Sequence, residues 1–231
     1  MPVRAVLLDA GATLLHPDPP VEIVYARELT RLGLDVSRDR LGDALAGLWN
    51  EVRSEPGERY GGVRGEEGFW RDFLDRLRRR LDGQAMAPES FERLAAHFRS
   101  PRSWTVYPDV RPALAALRER GLALAVVSNW DSHLPGLLEG IGLAPHFAAV
   151  AVSAIEEVGK PDAEIFRRVC ARLTVSPAEA LHVGDLLEED YEGARGAGLH
   201  ALLLDRDGRH PGHPDRISSL HEIGDRLDAI A

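Results

Sequence analysis

Four polar residues follow short apolar runs closely enough to share one edge of a sheet. Asp9 ends VRAVLL (3–8), Ser128 and Asn129 end LALAVVS (122–128), Lys160 follows AAVAVS (148–153), and Asp185 ends ALHVGD (180–185). Each residue has an ordinary reading: a strand-terminal Asp caps a turn, Ser-Asn is loop chemistry, and Gly-Asp is a common turn. Together they bring a carboxylate, a hydroxyl, an ammonium and a second carboxylate to the carboxyl ends of strands. Open parallel α/β sheets bind ligands there.

Lys160 is the only lysine; the other 27 of the 28 basic residues are Arg. Where exposed lysines have drifted to Arg, a retained Lys points to work that needs a compact point charge, such as contact with a phosphate. The alternative is a lysine that survived by chance.

Those residues need a scaffold. The runs 3–8, 122–128, 148–153, 180–185 and 200–205 are short, apolar and partly β-branched, as buried parallel strands are. Helical spacing separates the later ones: 111–119, 133–141, 162–173, a small-residue helix at 190–198, and a closing helix at 217–230. From 21 to about 98 the spacing is helical throughout, with about four helices and no strand. The breaks fall at Gly33, the GERYGG turn, Gly83 and Pro88. The Pro-rich HPDPP (16–20) marks a boundary before this segment. The expected fold is α/β, a doubly wound, Rossmann-like parallel sheet built from 1–15 and 101–231, with residues 16–100 inserted as a helical domain.

Composition excludes several classes. The formal charge of −9 lacks the basic footprint of a nucleic-acid binder. No apolar run approaches the roughly 20 residues of a membrane span, and Asp9 interrupts the N-terminal apolar stretch too early for a signal peptide. One cysteine, Cys170, allows neither an internal disulfide nor a Cys-based zinc cage. A cytoplasmic protein without nucleic-acid or membrane partners is expected.

The sequence resembles the haloacid dehalogenase superfamily. VLLDAGATLL resembles its first motif, VVSNWD its second, VGKPDAEIF its third and HVGDLLEED its fourth, in the family's order. VYPDVRPALAALRERG resembles the segment leading into the second motif. Residues 16–100 match the position of the family's helical cap, and the nearest-looking branch is phosphatase-like. The resemblance implies a small-molecule substrate, a phosphate ester, and a Mg²⁺ cofactor. It implies that Asp9 attacks phosphorus and that Lys160 both assists that carboxylate and binds phosphate. Ser128 and the backbone near Asn129 would donate hydrogen bonds to phosphate oxygens. Asp9, the Gly11 carbonyl, Asp185 and Asp190 would hold or orient the metal.

One position departs from the pattern. Family phosphatases carry a second Asp two residues after the nucleophile, which protonates the leaving oxygen and activates water; here that residue is Gly11. Three readings follow. The chain is a phosphohydrolase that is slow or uses a substitute base, with His16 and Asp18 as candidates; or a dehalogenase-type hydrolase; or a non-catalytic phosphate- or partner-binding protein. Family phosphonoacetaldehyde hydrolases need a cap lysine, which is missing here.

Other features read as structure. HPGHP (210–214) is a turn, because Pro and Gly prevent a helix that would align its histidines. RLRRRL (76–81) is a solvated helix face. Trp49, Trp70 and Cys170 are core residues, and the small residues at 193–198 let a helix approach the sheet.

Overall fold

The computed structural model describes residues 2–55, 65–81 and 88–230. The GERYGG turn and Gly83 lie outside the described residues. In chain order the elements are β1 (Ala5–Leu8), β2 (Leu15–Pro17), α1 (Val21–Arg31), α2 (Arg38–Ser54), α3 (Gly65–Arg80) and α4 (Pro88–Arg99). There follow β3 (Trp104–Val106), α5 (Val110–Glu119), β4 (Ala123–Ser128), α6 (Leu134–Ile141), β5 (Ala149–Val152), α7 (Ser153–Glu156) and α8 (Ala163–Arg172). The chain closes with β6 (Ala180–Gly184), a π-helix (Leu187–Glu192), α9 (Gly193–Gly196), β7 (His200–Leu204), β8 (Arg216–Ile217) and α10 (Ile223–Ile230).

Two compact units result, one formed by Met1–His16 with Val106–Ala231 and the other by Pro17–Thr105. The first holds a six-stranded sheet in the order β5-β4-β1-β6-β7-β8, and its pairings are all parallel. The chain winds outward from β1 to β4 and β5, then returns to β6 and winds the other way. β1 is therefore the switch point, where such sheets bind ligands. Its four residues are fully buried, which is why it reads as an unbroken apolar run.

Helix α8 shows how the sheet is covered. Asp162 caps it by accepting from the Glu164 N–H at 2.8 Å. Ile165, Phe166, Val169 and Cys170 recur at helical spacing and pack on Ala5, Leu7, Ala125, Val127 and Ala151 of the sheet. Small residues on the strands and large ones on the helix let the two layers interlock. Each fully buried large side chain contributes roughly 1.5–3 kcal/mol.

The second unit is helical, with its own core. Val24, Tyr25 and Leu29 of α1, Leu41, Leu45 and Leu48 of α2, Phe73 and Leu77 of α3, and Phe91 and Leu94 of α4 converge. Trp49 and Trp70 pack against that cluster. Glu28 is buried among them, and Arg93, Ser90 and Arg31 hold its carboxyl down at about 2 against the opposing effect of burial.

Two expectations change. The closing helix does not start at 217: Ile217 extends the sheet as β8, and Ser219 caps a short turn before α10 begins at Ile223. The described residues of 21–98 hold helices and no strand, as expected, and β2 and β3 flank them and pair with each other. In RLRRRL, Arg76 and Arg80 pair with acids of α2, but Arg78 is 5% exposed and lies on the buried side of α3, so the run is not one solvated face. Among the described residues no helix is long and apolar enough to cross a membrane.

Candidate active site

Strand β1 delivers Asp9 between its two neighbours. The Asp9 N–H still donates to Val183 of β6 at 3.0 Å, so the residue continues the strand line. From β4, the Ser128 hydroxyl donates to Asp9 Oδ1 at 2.9 Å. Lys160 arrives on the loop after α7 and is 2% exposed. Its Nζ donates to Asp9 Oδ1 at 2.6 Å and to Asp190 Oδ1 at 2.5 Å. Burial alone would push the ammonium toward its neutral form, but Asp190 and Asp9 reverse this and hold it charged above its ordinary range.

The π-helix places Asp190. Both Asp190 and Tyr191 donate their N–H groups to the Leu186 carbonyl, giving the widened turn in which Asp190 folds back toward β6. Asp190 Oδ1 accepts from Lys160 and also from His182 Nε2 at 2.9 Å; Oδ2 accepts from the Leu186 N–H at 3.0 Å. Burial opposes this charge too, but Lys160 and His182 outweigh it, so the carboxyl sits below its usual range. The turn needs Gly184, because a Cβ there would land inside the Asp190 carboxyl group.

Asn129 faces inward. Its Oδ1 accepts from the Lys160 N–H at 2.8 Å, and its Nδ2 donates to the Lys160 carbonyl and to Glu189 Oε2, both at 2.8 Å. The amide thus fixes the main chain that carries the lysine. Gly159 makes room for it, since a Cβ there would sit 2.7 Å from Asn129 Oδ1.

Asp185 differs from the other two carboxylates. Among the described residues no donor bonds its side chain, and burial together with Asp9 and Asp190 pushes its carboxyl up to about 8. Asp9 is also raised, first by burial and then by Asp190, although Lys160 and Ser128 pull the other way. Among the described residues its Oδ2 takes no hydrogen bond. Asp9, Asp185 and Asp190 offer oxygens within 4.8 Å of one another. Hard carboxylate oxygens with uncompensated negative charge suit a divalent cation of the magnesium or calcium type. The residues present therefore fit a metal.

The turn after Asp9 is closely held. Leu14 and Leu15 donate their N–H groups to the Ala10 carbonyl, and Ala12 adopts φ 53°. Gly11 has no such constraint, but a Cβ on it would lie 3.1 Å from Cζ3 of Trp130. Arg206 clamps the same turn, donating to the Ala12 and Thr13 carbonyls at 3.3 and 2.9 Å, while its guanidinium pairs with both oxygens of Asp109. It also stacks on Tyr107, 4.0 Å from the ring centroid. His16 rests against Tyr107, with centroids 4.8 Å apart, and Asp18 accepts from Thr105.

Asp9, Ser128, Asn129, Lys160, Asp185 and Asp190 thus converge on the carboxyl edge around β1. Sequence reasoning missed His182, Glu189, Asp109, Arg206 and Trp130. Of these, His182 alone left a signal, as a polar residue inside the apolar strand ALHVG.

A family model for haloacid dehalogenase-like hydrolases matches residues 3–198. The chain belongs to the haloacid dehalogenase-like hydrolases. Among its family relatives, haloacid dehalogenase-like hydrolase domain-containing protein 3 of Bos taurus is 36% identical over 87% of this chain and 82% of its own. A phosphoserine phosphatase of Thermus thermophilus is 34% identical over 96% and 98%. The crystal structure of a haloacid dehalogenase-like phosphatase from Thermococcus onnurineus superposes with a TM-score of 0.66 at 28% identity, covering 97% of this chain and 98% of the other. The chain is thus a haloacid dehalogenase-like hydrolase with phosphatases among its relatives.

Proposed function

We propose that this hydrolase cleaves small-molecule phosphate esters through a covalent aspartyl-phosphate on Asp9. Asp9 Oδ2, which takes no hydrogen bond among the described residues, forms a bond to phosphorus as the ester P–O bond breaks and the alkoxide or aryl oxide leaves with the bonding pair and takes up a proton from water. Water then attacks phosphorus, releasing orthophosphate and a proton and restoring the carboxylate. Lys160 holds Asp9 and neutralises phosphate charge, and Ser128 shares that task. Asn129 fixes the Lys160 loop, and Asp190 anchors the ammonium. A Mg²⁺ bound by Asp9, the Gly11 carbonyl and Asp185, with Asp190 behind them, would supply Lewis-acid charge that offsets repulsion between carboxylate and phosphate. The helical segment 16–100 is a cap in this reading, and the protein works in the cytoplasm, where its single Cys170 stays a thiol.

The observation that carries the reading is the state of Asp185. Among the described residues it is a carboxyl group with no donor, with an oxygen within 4.8 Å of an Asp9 carboxylate whose other partners, Lys160 and Ser128, both bond Oδ1. A relative named as a phosphoserine phosphatase and a 28%-identical phosphatase structure support the class. Gly11 brings no acid or base, so leaving groups stable as anions are favoured.

The test is to mix the protein with p-nitrophenyl phosphate and Mg²⁺, quench in acid, and locate phosphate by mass spectrometry. The expected result is a hydroxylamine-sensitive phosphate on Asp9, absent from Asp9→Asn and from protein in EDTA. Loss of all labelling in Mg²⁺-loaded wild type would turn the reading to non-catalytic phosphate binding.

A further inference from the structure

His182 puts a polar ring where an apolar side chain would fit. Along β6 the pleat turns Ala180, His182 and Gly184 to one face of the sheet. His182 lies in register with Leu7 of β1 on one side and Ala201 of β7 on the other, and both belong to the apolar layer that packs against α8. Phe166 of α8 meets the imidazole edge to face, with ring centroids 5.0 Å apart. The histidine is fully buried. Among the described residues its Nδ1 takes no hydrogen bond, a cost that a leucine or phenylalanine at this position would not carry.

The partner of the ring is Asp190. Nε2 lies 2.9 Å from Asp190 Oδ1, so Nε2 carries the hydrogen and donates it. Nδ1 has no acceptor, which an imidazolium would need there, so the ring is neutral. The same Asp190 Oδ1 accepts from Lys160 Nζ at 2.5 Å, and Nζ also donates to Asp9 Oδ1 at 2.6 Å. A chain of hydrogen bonds thus runs from the interior of the sheet to the carboxylate at its edge, through His182, Asp190, Lys160 and Asp9. Gly184, on the same face as His182, leaves the space in which the Asp190 carboxyl lies. Position 184 makes the room and position 182 supplies the anchor.

We infer that His182 is a positioning residue: its neutral imidazole anchors Asp190 from within the core, so that the ammonium of Lys160 stays balanced between Asp190 and Asp9. This role rests on the phosphatase reading, in which Lys160 serves Asp9 and the phosphate. A carboxylate oxygen has two lone pairs. With His182 on one and Lys160 on the other, Asp190 is held against rotation and does not draw the ammonium wholly to itself. Without the imidazole N–H, Oδ1 has one donor fewer, and Lys160 shifts toward Asp190 and away from Asp9. His182 acts through Asp190, so its loss should slow attack by Asp9 while the fold persists.

Two measurements on the full chain in Mg²⁺ buffer test this, with wild type, His182→Gln and His182→Phe. Gln keeps an amide N–H near the place of Nε2, whereas Phe keeps a flat ring against Phe166 and removes the donor. Nitrogen NMR of histidine-labelled wild type should show a neutral ring protonated at Nε2 whose signals vanish in His182→Gln. If the vanishing signals are those of an imidazolium or of a ring protonated at Nδ1, the role is overturned. Quenched-flow formation of phospho-Asp9 from saturating p-nitrophenyl phosphate should be roughly 10- to 100-fold slower in His182→Phe, and His182→Gln should recover most of the rate. Thermal melts show whether each variant is folded at the assay temperature. A wild-type rate in His182→Phe, or equal losses in the Gln and Phe variants, would overturn the role of His182 and leave the phosphatase reading standing. The same holds if neither His182→Phe nor its substitute His182→Leu is folded, since the residue is then structural. No phospho-Asp9 in wild type would overturn the phosphatase reading and this role with it.

Discussion

Replacing Asp185 with Asn should stabilise the metal-free protein, and by an amount that depends on pH. The folded state holds the Asp185 carboxyl up to about 8, against 3.8 for a free aspartate, because burial, Asp9 and Asp190 all disfavour its charge. For an acid raised on folding, stability is fullest below the unfolded value and is lost as pH rises through the folded one. Each pH unit between 3.8 and 7 costs about 1.4 kcal/mol, so the carboxylate costs at most about 4 kcal/mol at pH 7 and under about 2 kcal/mol at pH 5. Asn mimics the neutral acid and carries none of this cost. In EDTA, Asp185→Asn should melt roughly 10 °C above wild type at pH 7 and about half as far above it at pH 5, at 2–4 °C per kcal/mol. Saturating Mg²⁺ should then raise wild type, by about 2.7 kcal/mol at 100 times Kd, and leave the variant almost unmoved. Scanning calorimetry at the two pH values, with EDTA and with Mg²⁺, reads all of these quantities. A variant less stable than wild type in EDTA at pH 7, or a gap that does not shrink at pH 5, would show that Asp185 is not held at a cost.

Lys160→Arg should lower turnover at least roughly 100-fold and weaken inhibition by vanadate, because a guanidinium is bulkier than the ammonium it replaces between Asp9 and Asp190; unchanged vanadate inhibition would refute this. Gly11→Asp alone should gain nothing, since its Cβ meets Trp130 at 3.1 Å; combined with Trp130→Ala it should raise steady-state turnover of alkyl phosphates by up to about 100-fold, measured as phosphate release. Gly184→Ala should destabilise the α/β unit by roughly 3–5 kcal/mol in urea titrations, because displacing Asp190 leaves Lys160 and His182 without their shared carboxylate; near-wild-type stability would mean that Asp190 can move freely.

Much of this protein was legible in the chain itself. Parallel strands buried on both faces must be apolar along their length, so β1, β4, β5, β6 and β7 stand out as runs, and their carboxyl ends are marked by Asp9, Ser128 and the Gly184–Asp185 step. Lys160 was legible because it is alone. Helical spacing likewise exposed α1 to α4, since each turns an apolar stripe toward the same core. Strands of two or three residues such as β8 carry too little pattern to be seen, and a π-helix differs from an α-helix only in which carbonyl each N–H finds.

The partners of those residues were settled by the tertiary structure. Ser128 and Asp9 are 119 positions apart, and Lys160 and Asp9 are 151 apart. Strand order and register alone decide that they meet, and register sets which way every side chain points. The same holds for Asn129, whose side-chain amide grips the Lys160 main chain. It holds for Asp190, whose place depends on a widened turn and on the missing side chain of Gly184. Position 11 is the clearest case. The sequence shows a glycine where an acid was expected, and the fold shows the space beside it filled by an indole from another strand's loop. Residue types set which chemistry the chain can attempt; packing between distant segments decides which atoms are left open to do it.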